Sequence, residues 1–125
     1  MTEKFTKKVL IVEDDIFLTN IYRQRLQDAG YIVEATLNGE ECLERMKLFK
    51  PDIILLDIIM PKTDGFETLK AIKANKDHNT IPIIVVSNLS ERDDIDRAYS
   101  LGASDYIIKS DVPIEHIIQR IQELF

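Results

Sequence analysis

The chain has 125 residues, 45% of them hydrophobic and 30% charged, which suffices for one compact domain with an ordinary core. Sixteen Lys+Arg against twenty-two Asp+Glu leave a net charge of −6, which repels phosphate backbones and argues against nucleic-acid binding through a basic face. No apolar run approaches the roughly 20 residues that span a bilayer, residues 1–8 lack the apolar stretch of a secretory signal, and Cys42, the single cysteine, excludes an internal disulfide framework and suggests a reducing, cytoplasmic compartment.

Residues 9–12 (Val-Leu-Ile-Val) open a pattern in which short, β-branched apolar runs alternate with longer amphipathic stretches. The first such stretch places Leu18, Ile21, Tyr22, Leu26 and Ala29 on one helical stripe, with Gly30 as its stop. Residues 31–35 form the second run, and Asn38-Gly39 opens a second helix carrying Leu43 and Met46. The third run is 53–56, and a third helix begins near Gly65 with Phe66, Leu69 and Ile72 on one face. After the fourth run, 83–86, Ser90 with Asp93 resembles a capping box for a fourth helix, which Gly102 closes. The fifth run is 106–108. Pro113 then sits in the first turn of a last helix, whose Ile114, Ile117, Ile118 and Ile121 follow i, i+3, i+4, i+7 spacing. Three runs are apolar without alternation, which suits strands buried on both faces of a parallel sheet. Five βα units therefore predict a three-layer α/β sandwich, a single domain over 1–125 with its core from about residue 8, and no output domain.

Glu13-Asp14-Asp15 directly follows the first run, and Asp57 directly follows the third. Ligand crevices of open α/β sheets lie outside the carboxyl ends of the strands, where strand order reverses. With the order 2-1-3-4-5, strands one and three are neighbours and Glu13, Asp14 and Asp57 converge. Carboxylates about 5 Å apart repel by about 3 kcal/mol per pair at an effective dielectric of about 20, so either a pKa rises or a cation neutralises them. All-oxygen ligands suit a hard divalent ion, Mg²⁺ above all, with Mn²⁺ possible. Asp15 is expected to cap the first helix instead.

Several elements together carry a family resemblance: Val9-Leu10-Ile11-Val12-Glu13-Asp14-Asp15, Pro51-Asp52-Ile53-Ile54-Leu55-Leu56-Asp57, Met60-Pro61 with Asp64-Gly65, Ser87, and Gly102-Ala103-Ser104-Asp105-Tyr106 leading to Lys109. In order and spacing the chain resembles the receiver domains of bacterial two-component response regulators, from Lys8 through the last helix. The resemblance implies a flavodoxin-like (βα)5 fold and a phosphoryl group accepted on Asp57 from a sensor histidine kinase or phosphotransfer protein. It implies Mg²⁺ held by Glu13, Asp14, Asp57 and the Ile59 carbonyl, and Lys109 paired with a phosphoryl oxygen. It further implies a switch through Ser87 and Tyr106, read out on the face of helix 4, strand 5 and helix 5 by an unknown protein target. A monomer or a phosphorylation-dependent homodimer follows from the same likeness, with neither nucleic acid nor membrane as partner. The domain is expected to be a phosphoacceptor rather than an enzyme, free-standing or excised from a longer regulator.

Some positions depart from the family pattern. Ser110 stands where Pro with a cis bond is usual, and Asn88 stands where Ala is common after the switch hydroxyl, narrowing access to Asp57. A non-proline cis peptide costs about 3 kcal/mol, so a trans bond and a reshaped loop are expected at Lys109-Ser110. Ile59 and Leu89 occupy flanking positions where polar groups can position water, which predicts slow loss of the phosphoryl group. His78 and His116 have no companion ligands and are expected at the surface. Cys42 is expected as a packed thiol, and Tyr22, Tyr31 and Tyr99 as packing or face residues.

Rival chemistries fit less well. A phosphatase of the haloacid dehalogenase type needs a second Asp two residues after its nucleophile, and Asp57-Ile58-Ile59 lacks it. A flavodoxin-like FMN carrier needs a Ser/Thr/Gly-rich loop after the first strand, where Glu13-Asp14-Asp15 would repel phosphate. A receiver-like scaffold that is never phosphorylated is opposed by the full set Glu13, Asp14, Asp57, Ser87 and Lys109.

Overall fold

A computed structural model describes residues 7–60 and 62–124. Five strands and five helices alternate: β1 (Lys8–Val12), α1 (Ile16–Asp28), β2 (Ile32–Thr36), α2 (Gly39–Met46), β3 (Ile53–Leu56), α3 (Gly65–Ala74), β4 (Ile83–Ser87), α4 (Arg92–Ser100), β5 (Asp105–Ile108) and α5 (Ile114–Glu123), with a 3₁₀ turn at Lys109–Asp111 before α5. The sheet is parallel throughout, in the order β2-β1-β3-β4-β5. This is the flavodoxin-like (βα)5 topology that the family resemblance implied, and the three-layer α/β sandwich expected from the five apolar runs.

The continuous apolar runs are explained by burial on two faces. Successive side chains of a strand point to opposite sides. Leu10, Val12, Ile54, Leu56, Ile83 and Val85 therefore pack under α2, α3 and α4, against Cys42, Met46, Leu69 and Ile72. Their alternates Val9, Ile11, Ile53, Leu55, Ile84 and Val86 pack under α1 and α5, against Tyr22, Leu26, Ile117 and Ile121.

Three helices start where a side chain can accept an orphan backbone donor. Asp15 accepts from the Leu18 N–H, Asn38 from Glu41 and Asp64 from Phe66. The expected capping box at Ser90 does not form. Glu91 takes the capping position of α4 in an extended conformation without a side-chain bond, leaving Ser90 one residue too early to reach the first turn. Pro113 likewise lies at the cap of α5 rather than inside its first turn. Gly30 (φ +99°) and Gly102 (φ +109°) end α1 and α4 in conformations that side chains resist. At Gly65 the limit is space, because a Cβ would meet the Ile58 backbone at 2.4 Å. That close approach folds the loop after β3 back on itself through Gly65 N–H to Ile58 O (3.1 Å) and an antiparallel bridge between Ile59 and Asp64.

Candidate functional site

The β1–β3 register pairs Val12 with Leu56, so the next residues, Glu13 and Asp57, leave the sheet side by side. The ladder extends past the strands: Asp57 N–H donates to Val12 O, and Glu13 N–H to Thr36 O, each at 3.0 Å. Carboxylate oxygens of Glu13, Asp14 and Asp57 lie within 4.8 Å of one another, the convergence that the topology predicted. Asp14 is exposed while the other two are buried, so the cluster opens to solvent on one side.

Lys109, from the turn after β5, closes the cluster from above. Its Nζ lies 2.6 Å from Glu13 Oε2 and 3.0 Å from Asp57 Oδ2, with its side chain only 16% exposed. The other oxygens are also engaged: Glu13 Oε1 accepts the Asp15 N–H (3.2 Å) and Asp57 Oδ1 the Ile59 N–H (3.1 Å). Burial pushes the Glu13 carboxyl up to about 7, against the opposing Lys109 hydrogen bond and with help from the Asp57 charge. Burial alone would lower the Lys109 ammonium, but its bonds and charge attraction to Glu13 and Asp57 outweigh that and raise it.

On the β4–β5 side the polar groups are held differently. Ser87 is fully buried at the end of β4, and its Oγ accepts the Leu89 N–H (3.2 Å). Tyr106 is half-buried and donates its hydroxyl to the Leu89 carbonyl (2.7 Å). Asn88 and Ser110, the two departures noted in the sequence, meet: the Ser110 N–H donates to Asn88 Oδ1 at 3.1 Å. The Lys109-Ser110 peptide is trans. Ile59 is 54% exposed at the rim, whereas Leu89 is partly buried against the core.

Other singled-out residues behave as packing. Cys42 is buried on α2, its thiol pushed up to about 12 by burial. His116 is exposed, and neither histidine joins the metal-competent carboxylate group found among the described residues. Tyr22, on α1, packs against the sheet: burial pushes its phenol up to about 12, and the charges of Lys109, Glu13 and Asp57 reach it. On the same helix Thr19 buries a hydroxyl with no hydrogen-bond partner. The amphipathic stripe of α1 showed Tyr22 as inward, but not that the charges of the site reach it, and Thr19 lay outside that stripe. A separate cleft of about 530 Å³, over Thr36, Glu44, Arg45 and Lys62, contains none of the site residues.

A parallel (βα)5 sheet that gathers three carboxylates and a lysine at its carboxyl edge has the architecture of a signalling receiver. The profile of the response regulator receiver domain matches residues 9–122, and the chain belongs to that family. It is 37% identical over 109 residues to the probable transcriptional regulator ycf27 of Cyanophora paradoxa, covering 87% of this chain and 44% of that protein. The chain thus spans less than half the length of that relative. Among solved structures, the chemotaxis protein CheY4 of Vibrio cholerae superposes with a TM-score of 0.89 at 28% identity, covering 96% of this chain and 99% of that one. The phosphorylated cyanobacterial phytochrome response regulator RcpA superposes with a TM-score of 0.83 at 28% identity, covering 95% and 91%. The chain is a receiver domain homologous to response regulators, a class of phosphoacceptors rather than enzymes in general.

Proposed function

We propose that Asp57 accepts a phosphoryl group from a phosphohistidine of a sensor kinase or phosphotransfer protein. The observation that carries this reading is the Lys109 ammonium bridging Glu13 and Asp57 beside the exposed Asp14 carboxylate. A carboxylate oxygen of Asp57 attacks phosphorus in line. The new O–P bond forms as the N–P bond breaks, and the histidine nitrogen leaves with the bonding pair. Lys109 turns from the free carboxylate to a phosphoryl oxygen, keeping its charge against the added negative charge.

Three carboxylates within 4.8 Å are a donor set that fits a hard divalent cation. Glu13, Asp14, Asp57 and the Ile59 carbonyl would hold Mg²⁺, or Mn²⁺ in its place. When bound, the ion supplies positive charge that offsets the carboxylates and the transferring oxygens.

In the same reading Ser87 hydrogen-bonds the phosphoryl group, and Tyr106, bonded to the Leu89 carbonyl, responds when the β4–α4 loop shifts. A protein target would read the change on the α4–β5–α5 face, where a cleft of about 260 Å³ is lined by Ile95, Tyr99, Tyr106, His116 and Arg120. The acidic charge and the single cysteine support a cytoplasmic setting for this exchange.

Intact mass after incubation with acetyl phosphate and Mg²⁺ tests the reading. A gain of about 80 Da, one phosphoryl group, is expected for the wild type and is lost in Asp57→Ala or without metal. No gain, under conditions that modify a control receiver, would return the chain to the scaffold reading.

A further inference from the structure

Two positions at which the chain departs from the family pattern, the one directly after Ser87 and the one directly after Lys109, are joined in space. Ser110 N–H donates to Asn88 Oδ1 across 22 residues, linking the loop after β4 to the turn after β5. The contact has a local cause. Ser110 lies in a 3₁₀ turn whose cap, Ile108, makes no side-chain hydrogen bond, so at this exposed position its early N–H groups bond either to water or to a partner from elsewhere. Asn88 supplies one from the neighbouring loop. A proline at 110 has no N–H to donate, and an alanine at 88 has no oxygen to accept, so the link needs both residues as they stand.

Its position gives it leverage on the chemistry. A peptide unit is planar from one Cα to the next, so the plane carrying the Ser110 N–H also carries the Lys109 Cα. Asn88 directly follows Ser87, and its Oδ1 is joined to the backbone there through two side-chain torsions. The link therefore ties the root of the ammonium 3.0 Å from Asp57 to the root of the buried hydroxyl at the end of β4. We propose that Asn88 is a positioning residue, which clasps the β4–α4 loop to the β5–α5 turn and holds Lys109 and Ser87 in common register for phosphoryl transfer to Asp57. The proposal rests on the phosphoacceptor reading and adds what sets its rate. Donors fixed before the reaction stabilise developing charge without reorganising, whereas donors on separately moving loops lose part of that effect.

Asn88→Leu keeps the bulk of the side chain and removes the acceptor, which separates the bond from any steric effect on access. The experiment measures two quantities on the full chain: Ser110 amide exchange by NMR, and the rate of mass gain from acetyl phosphate with Mg²⁺. Asn88→Leu is expected to speed exchange at Ser110 and slow phosphorylation by roughly twofold to tenfold, the span one hydrogen bond supports. Asn88→Asp retains an acceptor and keeps exchange slow, as does Ser110→Ala, which retains the N–H. Faster exchange with an unchanged rate overturns the positioning role and leaves Asp57 as acceptor. Equal exchange in wild type and Asn88→Leu shows that the clasp does not form and overturns the proposal at its root. Absence of any mass gain in the wild type overturns the phosphoacceptor reading, and this proposal with it.

Discussion

The two halves of the site are built by different forces. On the β1–β3 side, Glu13 and Asp57 continue a parallel ladder whose strands are buried on both faces, and their backbones are fixed by the sheet itself. On the β4–β5 side, Ser87 and Tyr106 still belong to the ladder, Ser87 pairing with Ile108 and Tyr106 with Val85, but the loop residues beyond the strands are held by individual bonds such as Leu89 N–H to Ser87, Tyr106 to the Leu89 carbonyl and Ser110 N–H to Asn88. A ladder is cooperative and resists single substitutions of its polar ends. Loop bonds worth about 1 kcal/mol each can be exchanged for others. The acidic half can thus offer a constant site, while the other half has the small energy differences that a two-state response needs.

The contrast is broken most forcefully from beneath the ladder. Leu56 is fully buried one residue before Asp57, and Leu56→Ala should cost about 2–5 kcal/mol in urea unfolding. A cost near 0.5 kcal/mol would mean that the strand end is no more rigid than the loops. Next in size is the rim. Ile59 is exposed beside Asp57 and offers no polar group to orient water, so Ile59→Asn should hasten loss of the phosphoryl group by about tenfold, followed by mass spectrometry. Equal rates would remove the apolar rim as a cause of long lifetime. The smallest effect belongs to the loop side. Tyr106→Phe removes one bond to the Leu89 carbonyl and should cost about 0.5–1.5 kcal/mol of stability, with altered amide shifts confined to residues 87–90 and 105–108. Shifts spread through Glu13 and Asp57 would show that the two halves are one unit.

Local signals were legible where a short-range rule decides the outcome. Asp15, Asn38 and Asp64 precede helices and cap them, because a short side chain reaches a donor two or three residues on. Ser90 failed by one residue, since its resemblance to a capping box left open which residue takes the extended conformation at the cap. The strand runs were read within a residue of their ends: β2 is shifted to Ile32–Thr36, and β4 reaches Ser87. That extension sets the Ser87 hydroxyl at the sheet edge, where pairing with Ile108 places it across from the residue before Lys109.

The sequence by itself determined the alternation of strands and helices, the two-sided burial of β1, β3 and β4, and the positions of the carboxylates at strand ends. These follow from periodicity and from the residue types that end a strand, which are local properties. Only the tertiary structure decided which side chains share a bond or a cavity. Lys109 meets Glu13 from 96 residues away, and Asn88 meets Ser110 across 22. Tyr22 reaches the charges of the site from a helix whose pattern reads simply as buried. Such contacts depend on how strands are ordered and how far each turn carries the chain, and strand order is a property of the whole sheet.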